Sequence, residues 1–257
     1  MARLNGKCVI VTGSTTGIGA AIALRCVSEG AKVLLHGLET ENGARMESEL
    51  GGAAAFCPGD LTDTDVPQRL VDAALAAFGR LDAVVNNAAW VVRGRLEDTD
   101  AAFFDRVMQI NVRAPFLLIR AAAAHLQKSK GCVVNIGSVN AYCGEENLLP
   151  YSISKGALMT LTRNLGDTLL RTHGIRVNQI NPGWVLTENE KQVQKKAGKP
   201  DDWYKTLPAM FAPIGRIFHP EEIAEAAVYF LSDACGPISG QVLEVEQYPF
   251  IGRNPPK

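Results

Sequence analysis

The 257-residue chain is 47% hydrophobic and 21% charged, with a formal net charge of −1. That balance suits a protein with a large buried core and argues against a nucleic-acid surface, which needs clustered basic charge. No apolar run reaches bilayer length, and "MARLNGKCVIVTG" enters a strand pattern at once, leaving no room for a signal peptide.

The first strand, "KCVIVT" (7–12), runs into "TGSTTGIG", with Gly13, Gly17 and Gly19, and then into the helical "AAIALRCVSEG". In a strand–turn–helix unit, glycines let the backbone approach a pyrophosphate, and the helix N-terminus attracts its charge. The spacing is GxxxGxG and not the more familiar GxGxxG, so a tight turn without ligand is the competing reading. The second strand, "KVLLH" (32–36), ends in "GLET". A carboxylate there would hold an adenosine ribose; Gly37 and Leu38 occupy the place, and Glu39 comes one or two residues late. No guanidinium for a 2′-phosphate occurs at 14–16 or 37–38, which favours NAD. NADP stays open, because Ser14, Thr15 and Thr16 are neutral donors to a phosphate.

Further strands are "AAAFC" (53–57), "DAVVN" (82–86), "CVVNIG" (132–137), "IRVNQI" (175–180) and "QVLEVE" (241–246). Helical segments lie between most of them; Leu158, Leu161, Leu165 and Leu169 recur at three- and four-residue spacing. Gly30 and Gly174 stand where helices end. Apolar strands alternating with helices predict an α/β fold, a parallel sheet covered on both faces. With no repeat or linker in view, residues 1–257 read as one domain. The exception is 184–219, an excursion carrying Trp203, Tyr204, Leu207, Met210 and Phe211. It reads either as a substrate-binding lid or as a surface excursion whose aromatics pack on the core. Six cysteines without CxxC spacing predict core thiols, no metal and a cytoplasmic location.

After Pro150, "YSISK" sets Tyr151 and Lys155 four residues apart, on one helix face. Taken alone, the pair reads better as an exposed aromatic beside an exposed lysine. The order of "TGSTTGIG", "NNAA" (86–89), Asn111, Ser138, "YSISK" and "NPGWVLT" (181–187) decides the reading. This set, running from about residue 6 to 246, resembles the short-chain dehydrogenase/reductase family. The resemblance implies a single Rossmann-type, doubly wound domain with a seven-stranded parallel sheet flanked by helices. It also implies a homotetramer and a nicotinamide cofactor.

By the same resemblance, Tyr151 is the general acid/base and Lys155 lowers its pKa and binds the nicotinamide ribose. Ser138 holds the reacting oxygen, and Asn111 anchors a water that passes protons from Lys155 to solvent. Gly13, Thr15, Gly17, Ile18 and Gly19 would meet the diphosphate, with Leu38 beside the adenosine. Asp60 and Leu61 would take the adenine, Asn87 and Ala88 the adenosine ribose. Pro182, Gly183 and Val185 would frame the nicotinamide, and Thr187 would bond its carboxamide or the diphosphate. Plain caps are the alternatives for Asp60 and Thr187. Two departures from the family pattern stand out: Ala89 in place of the glycine of NNAG, and "EQY" (246–248) in place of DGG.

Trp90, Asn140, Glu145, Glu146, Trp184 and Glu188 are expected around the substrate, amides and carboxylates bonding hydroxyls and indoles stacking on C–H faces. That set points to a sugar, polyol or small hydroxy compound; solvent-facing glutamates and packing tryptophans are the alternative. The function expected is an NAD(P)-dependent alcohol/carbonyl oxidoreductase. A non-catalytic nucleotide-binding regulator, or an isomerase or dehydratase using the cofactor transiently, are the competing classes.

Overall fold

Each short apolar run becomes a strand and each amphipathic run a helix in the computed structural model, which describes residues 2–142 and 144–248. In chain order these are β1 (Cys8–Val11), α1 (Gly17–Ser28), β2 (Lys32–Leu35), α2 (Thr40–Leu50), β3 (Ala54–Phe56), α3 (Val66–Phe78) and β4 (Ala83–Asn86). There follow α4 (Ala101–Met108), α5 (Ala114–Ser129), β5 (Cys132–Ile136), α6 (Leu149–His173), β6 (Arg176–Pro182), α7 (Glu188–Lys196), α8 (Pro220–Leu231) and β7 (Val242–Val245). All seven strands pair in parallel in the order β3-β2-β1-β4-β5-β6-β7. The expected α/β class and seven-stranded parallel sheet are therefore present.

The two-residue alternation of a strand sorts side chains between the sheet's faces. Val9, Val11, Ala83 and Val85 join Ile22, Ala23 and Cys26 of α1 and Ile223 and Ala227 of α8 in one core. Cys8, Ile10 and Val84 pack on the opposite face with Leu70 of α3, Leu118 and Leu126 of α5, and Leu161 and Leu165 of α6. Gly174 ends α6 in the left-handed conformation, φ 68°, and Gly30 follows α1 at φ 86°.

Strand order reverses between β1 and β4, where the crossovers leave in opposite directions and open a crevice at the strands' C-terminal ends. The glycine turn and Asn87 lie at that opening. Between α4 and α5, residues Gln109–Arg113 form one π-helical turn containing Asn111. In the 184–219 excursion, α7 and a short turn at Trp203–Lys205 enclose a small core of their own, Trp203, Ala212 and Ile217. Trp184, Trp203 and Tyr204 pack against one another there. Cys8, Cys26, Cys132 and Cys235 are buried free thiols; Cys143 and the tail beyond Tyr248 lie outside the described residues. No helix among the described residues is long and apolar enough to cross a membrane.

Candidate active site

Ser138, two residues past β5, starts the turn Val139–Ala141, and its Oγ accepts the Asn140 N–H at 3.1 Å. Tyr151 lies in the first turn of α6, which Pro150 helps start, and its hydroxyl is close enough to Ser138 for the serine to influence its titration. One helical turn on, Lys155 is buried, its Nζ 5.6 Å from the centre of the Tyr151 ring and donating to the Ile136 carbonyl at 2.7 Å. The expected shared helix face is therefore real.

Burial dominates the electrostatics of the pair. It pushes the Tyr151 phenol up to about 12, with Ser138 pulling against it. Burial also pushes Lys155 down to about 7. Each charged form is cut off from water.

Asn111 is buried in the π turn. Its Oδ1 accepts the Trp90 N–H at 2.8 Å, and its Nδ2 donates to Ser154 Oγ at 3.0 Å and to the Trp90 carbonyl at 3.3 Å. Ser154 Oγ in turn donates to the Tyr151 carbonyl at 2.6 Å. The Asn111 side chain thus ties the loop after β4 to the start of α6. Ser154, fully buried, went unnoticed in the sequence because serine inside a helix carries no signal of its own.

The glycine turn is braced from β4. Asn87 Nδ2 donates to the carbonyls of Thr12 and Gly13 at 2.9 and 3.0 Å, while the Asn87 and Ala88 N–H groups share Thr12 Oγ1. Gly13 has φ 61°, and a Cβ there would lie 2.9 Å from Ala88 Cα; one on Gly19 would collide with the Gly13 carbonyl and Asn87. Helix α1 begins without a side-chain cap at Thr16 and without an acid in its first turn, and Ile18 packs on the core below. Those free N–H groups, approachable over glycine, fit a dinucleotide's phosphates. Thr187 stands over Gly17, within 3.5 Å of where its Cβ would be, and also caps α7 by accepting the Glu190 N–H at 3.1 Å.

At the end of β2, Leu38 is 64% exposed. Thr15 Oγ1 fills the space over Gly37 and donates to Glu39 at 2.6 Å, so a carboxylate does stand beside the turn. His36 is buried, accepting the Gly13 N–H on Nδ1 at 3.2 Å and facing the Gly59 carbonyl with Nε2 at 3.0 Å. Burial lowers its pKa. Asp60 is exposed and accepts the Thr62 N–H at 2.9 Å, which lowers its pKa. Leu61 is buried in the core that Ala88 borders. Pro182 ends β6, Gly183 N–H bonds the Val245 carbonyl at 2.9 Å, and Val185 is buried and bridges Phe218.

Of the six residues expected at the substrate, Asn140 stands beside Ser138. Trp90 packs between Phe103, 5.2 Å away, and Arg106, 4.8 Å from its ring. Trp184 stacks on Trp203 at 5.1 Å and donates to Glu190 at 2.9 Å. Glu188 is exposed and paired with Lys191 at 3.3 Å. The structure thus keeps Asn140 with the reactive residues and gives Trp90, Trp184 and Glu188 partners elsewhere. Glu145 and Glu146 are exposed, the latter 3.7 Å from Arg95.

A family model described as enoyl-(acyl carrier protein) reductase matches residues 13–247. The chain is 38% identical over 234 residues to L-fucose dehydrogenase of Mus musculus, covering 90% of this chain and 84% of that protein. It is 33% identical over 252 residues to cyclopentanol dehydrogenase of Comamonas testosteroni, covering 96% and 98%. Its fold matches the crystal structure of a 3-ketoacyl-(acyl-carrier-protein) reductase from Brucella melitensis complexed with NADH, with TM-score 0.83 and 28% identity over 95% of this chain and 98% of that one.

Proposed function

The chain belongs to the short-chain dehydrogenase/reductase family, and from that premise we propose that Tyr151 moves the proton of an alcohol whose oxygen Ser138 holds. The protein is an NAD(P)-dependent oxidoreductase acting on CH–OH groups. When bound, the nicotinamide supplies the hydride donor or acceptor. The observation that carries the assignment is Tyr151 beside Ser138, with the buried Lys155 one turn on, 5.6 Å from the Tyr151 ring centre.

With its pKa raised by burial, Tyr151 gives its proton to a carbonyl oxygen in the reducing direction. In the oxidising direction it takes the alcohol proton, and Ser138 orients that oxygen. Lys155 sits between the phenol and the Ile136 carbonyl and is the group through which a proton is replaced. Asn111 keeps both in place through Ser154.

Gly13, Thr15, Gly17, Ile18 and Gly19 would hold the cofactor's phosphates; Asp60 and Leu61 would hold the adenine, with Leu38 alongside, and Asn87 and Ala88 the ribose. Pro182, Gly183, Val185 and Thr187 would hold the carboxamide end. We read NAD as the preferred cofactor over NADP because the Glu39 carboxylate beside Thr15 disfavours a second negative charge. The neighbour bound to NADH is in keeping with this.

The substrate we infer is a small secondary alcohol with further hydroxyls or a ring, a sugar or polyol by class. Asn140 beside Ser138 supports it, as do relatives named for L-fucose and cyclopentanol. We also read the protein as a cytoplasmic homotetramer. Buried free thiols support the compartment, and a hollow of about 540 Å³ lined by Met108, Val112, Phe116 and Leu161 on the outer helices supports self-association.

Calorimetric titration with NADH and NADPH, followed by a panel holding L-fucose, polyols and cyclopentanol, tests the reading. Tight NADH binding and NAD reduction with one panel member are expected. Absence of binding by either cofactor would set the site assignment aside.

A further inference from the structure

We propose that Gln179 and Asn181 are positioning residues for Ser138, the last links of a directed chain of buried polar side chains that crosses β4, β5, α6 and β6. The proposal rests on the reading of Ser138 as the residue that holds the substrate oxygen.

Strand β6 is buried from Val177 to Pro182, yet it carries amides at 178, 179 and 181, all fully buried. A polar group in such a place needs a partner. Asn178 finds its own on the approach to β7, donating to the Ile238 carbonyl at 2.8 Å and accepting the Gln241 N–H at 3.0 Å. The other two turn to the reactive side.

Asn181 Oδ1 accepts the backbone N–H of Ser138 at 3.0 Å and the amide of Gln179 at 2.7 Å. Gln179 Oε1 accepts from Thr162 at 2.9 Å, Thr162 Oγ1 accepts from Asn135 at 2.8 Å, and Asn135 Oδ1 accepts from Asn86 at 2.8 Å. Read from Asn86, every donor points the same way, so the orientation of each amide is fixed by the one before it. The Leu158 carbonyl also lies 2.9 Å from Thr162 Oγ1 and competes for its proton.

Two features place the control at Gln179. Among the described residues Asn181 Nδ2 has no hydrogen-bond partner, so none of them holds its nitrogen side to keep Oδ1 turned towards Ser138. A Cβ on Gly137 would fall on Asn181 Oδ1 and Gln179 Nε2, so the chain entering Ser138 lies directly against both amides. Thr162 extends the buried stripe of α6 that begins with Tyr151, Lys155 and Leu158. The polar chain is therefore a second link between the helix carrying Tyr151 and the strand end carrying Ser138. Misplacement of a reacting group by ~1 Å costs about 100-fold in rate, so such a link matters to turnover.

Gln179→Glu tests this. Ionised, the glutamate has no proton for Asn181 Oδ1; Asn181 turns its nitrogen to the carboxylate, and Ser138 N–H loses its acceptor. Protonated, it donates as glutamine does. In the full chain, the Ser138 amide should exchange about 10-fold faster than wild type at pH 8 and approach wild-type protection as pH falls. Turnover of the panel substrate should fall about 10- to 100-fold at pH 8 and recover in the same pH range, with NADH affinity unchanged. A Ser138 amide protected as in wild type at every pH, with an unchanged pH profile, would overturn the proposal.

Should Gln179→Glu fail to fold, Thr162→Val removes the middle hydroxyl at constant shape, and unchanged Ser138 exchange there overturns it equally. Ser138→Ala separates the two readings. If it keeps full turnover, the site assignment fails, while amide exchange still judges the chain. If it loses turnover and Gln179→Glu behaves as wild type, the chain alone fails.

Discussion

The Lys155 ammonium donates a 2.7 Å hydrogen bond to the Ile136 carbonyl, two residues before Ser138, and so joins α6 to the end of β5 from inside the protein. That position has a consequence for stability. Burial holds Lys155 at about 7, against about 10.4 in an unfolded chain. Between those values the unfolded state binds the extra proton, so stability rises with pH; below about 7 the burial cost is present in full. In Lys155→Met, Tm should climb less between pH 7 and 9.5 than in wild type. Parallel curves from thermal melts would contradict the buried, easily deprotonated lysine.

Removing only the phenolic oxygen, in Tyr151→Phe, should lower turnover by about 100- to 10,000-fold while leaving NADH affinity and Tm near wild type. Steady-state rates with calorimetry check this. A rate within a factor of two or so of wild type would take Tyr151 out of the proton transfer.

His36 makes an acid-side prediction. It accepts from Gly13 on one nitrogen and meets the Gly59 carbonyl with the other, an arrangement that fits only the neutral ring with its proton on Nε2. Burial depresses its folded pKa below the unfolded value near 6.5, so the unfolded chain takes up the proton first and stability falls as pH drops through that region. His36→Gln, which cannot titrate, should lose less Tm between pH 7 and 5. Equal losses would mean that other groups govern the acid limb.

Charge at Glu39 should tune cofactor choice. Thr15 fixes this carboxylate beside the glycine turn. Glu39→Gln should shift the NADPH-to-NADH affinity ratio towards NADPH by about 10-fold, the size of an exposed like-charge term of ~1.4 kcal/mol. Titration of both cofactors into the variant decides it; an unmoved ratio would place the adenosine away from Glu39.

The fold was legible because each strand is a short β-branched run and each connection a periodic helix, so "KCVIVT", "KVLLH" and "DAVVN" fell on β1, β2 and β4 with boundaries a residue or two wide. Tyr151 and Lys155 were legible for the same reason, since helical spacing sets their common face. Other features were not. The packing partners of Trp90 and Trp184 could not be read, because an aromatic's partner is chosen in three dimensions, here Phe103 with Arg106 and Trp203 with Glu190. The burial of Lys155 and Tyr151 was not legible, because a lysine one turn away says nothing about how dry the site is. Gln179 and Asn181 did leave a trace: two amides with period-two spacing in a strand that must be buried on both faces.

The π turn at Gln109–Arg113 shifts the phase of one long helical stretch. Inserting a residue turns everything after it by about 100°, so α4 and α5 present differently phased stripes without a break between them. Phe103 and Arg106 thereby reach Trp90, while Leu118 and Leu126 reach the sheet. Deleting one residue there would restore an ordinary helix and bring α4 and α5 into a single phase. One of the two sets of contacts would then have to be given up, and Asn111 with it.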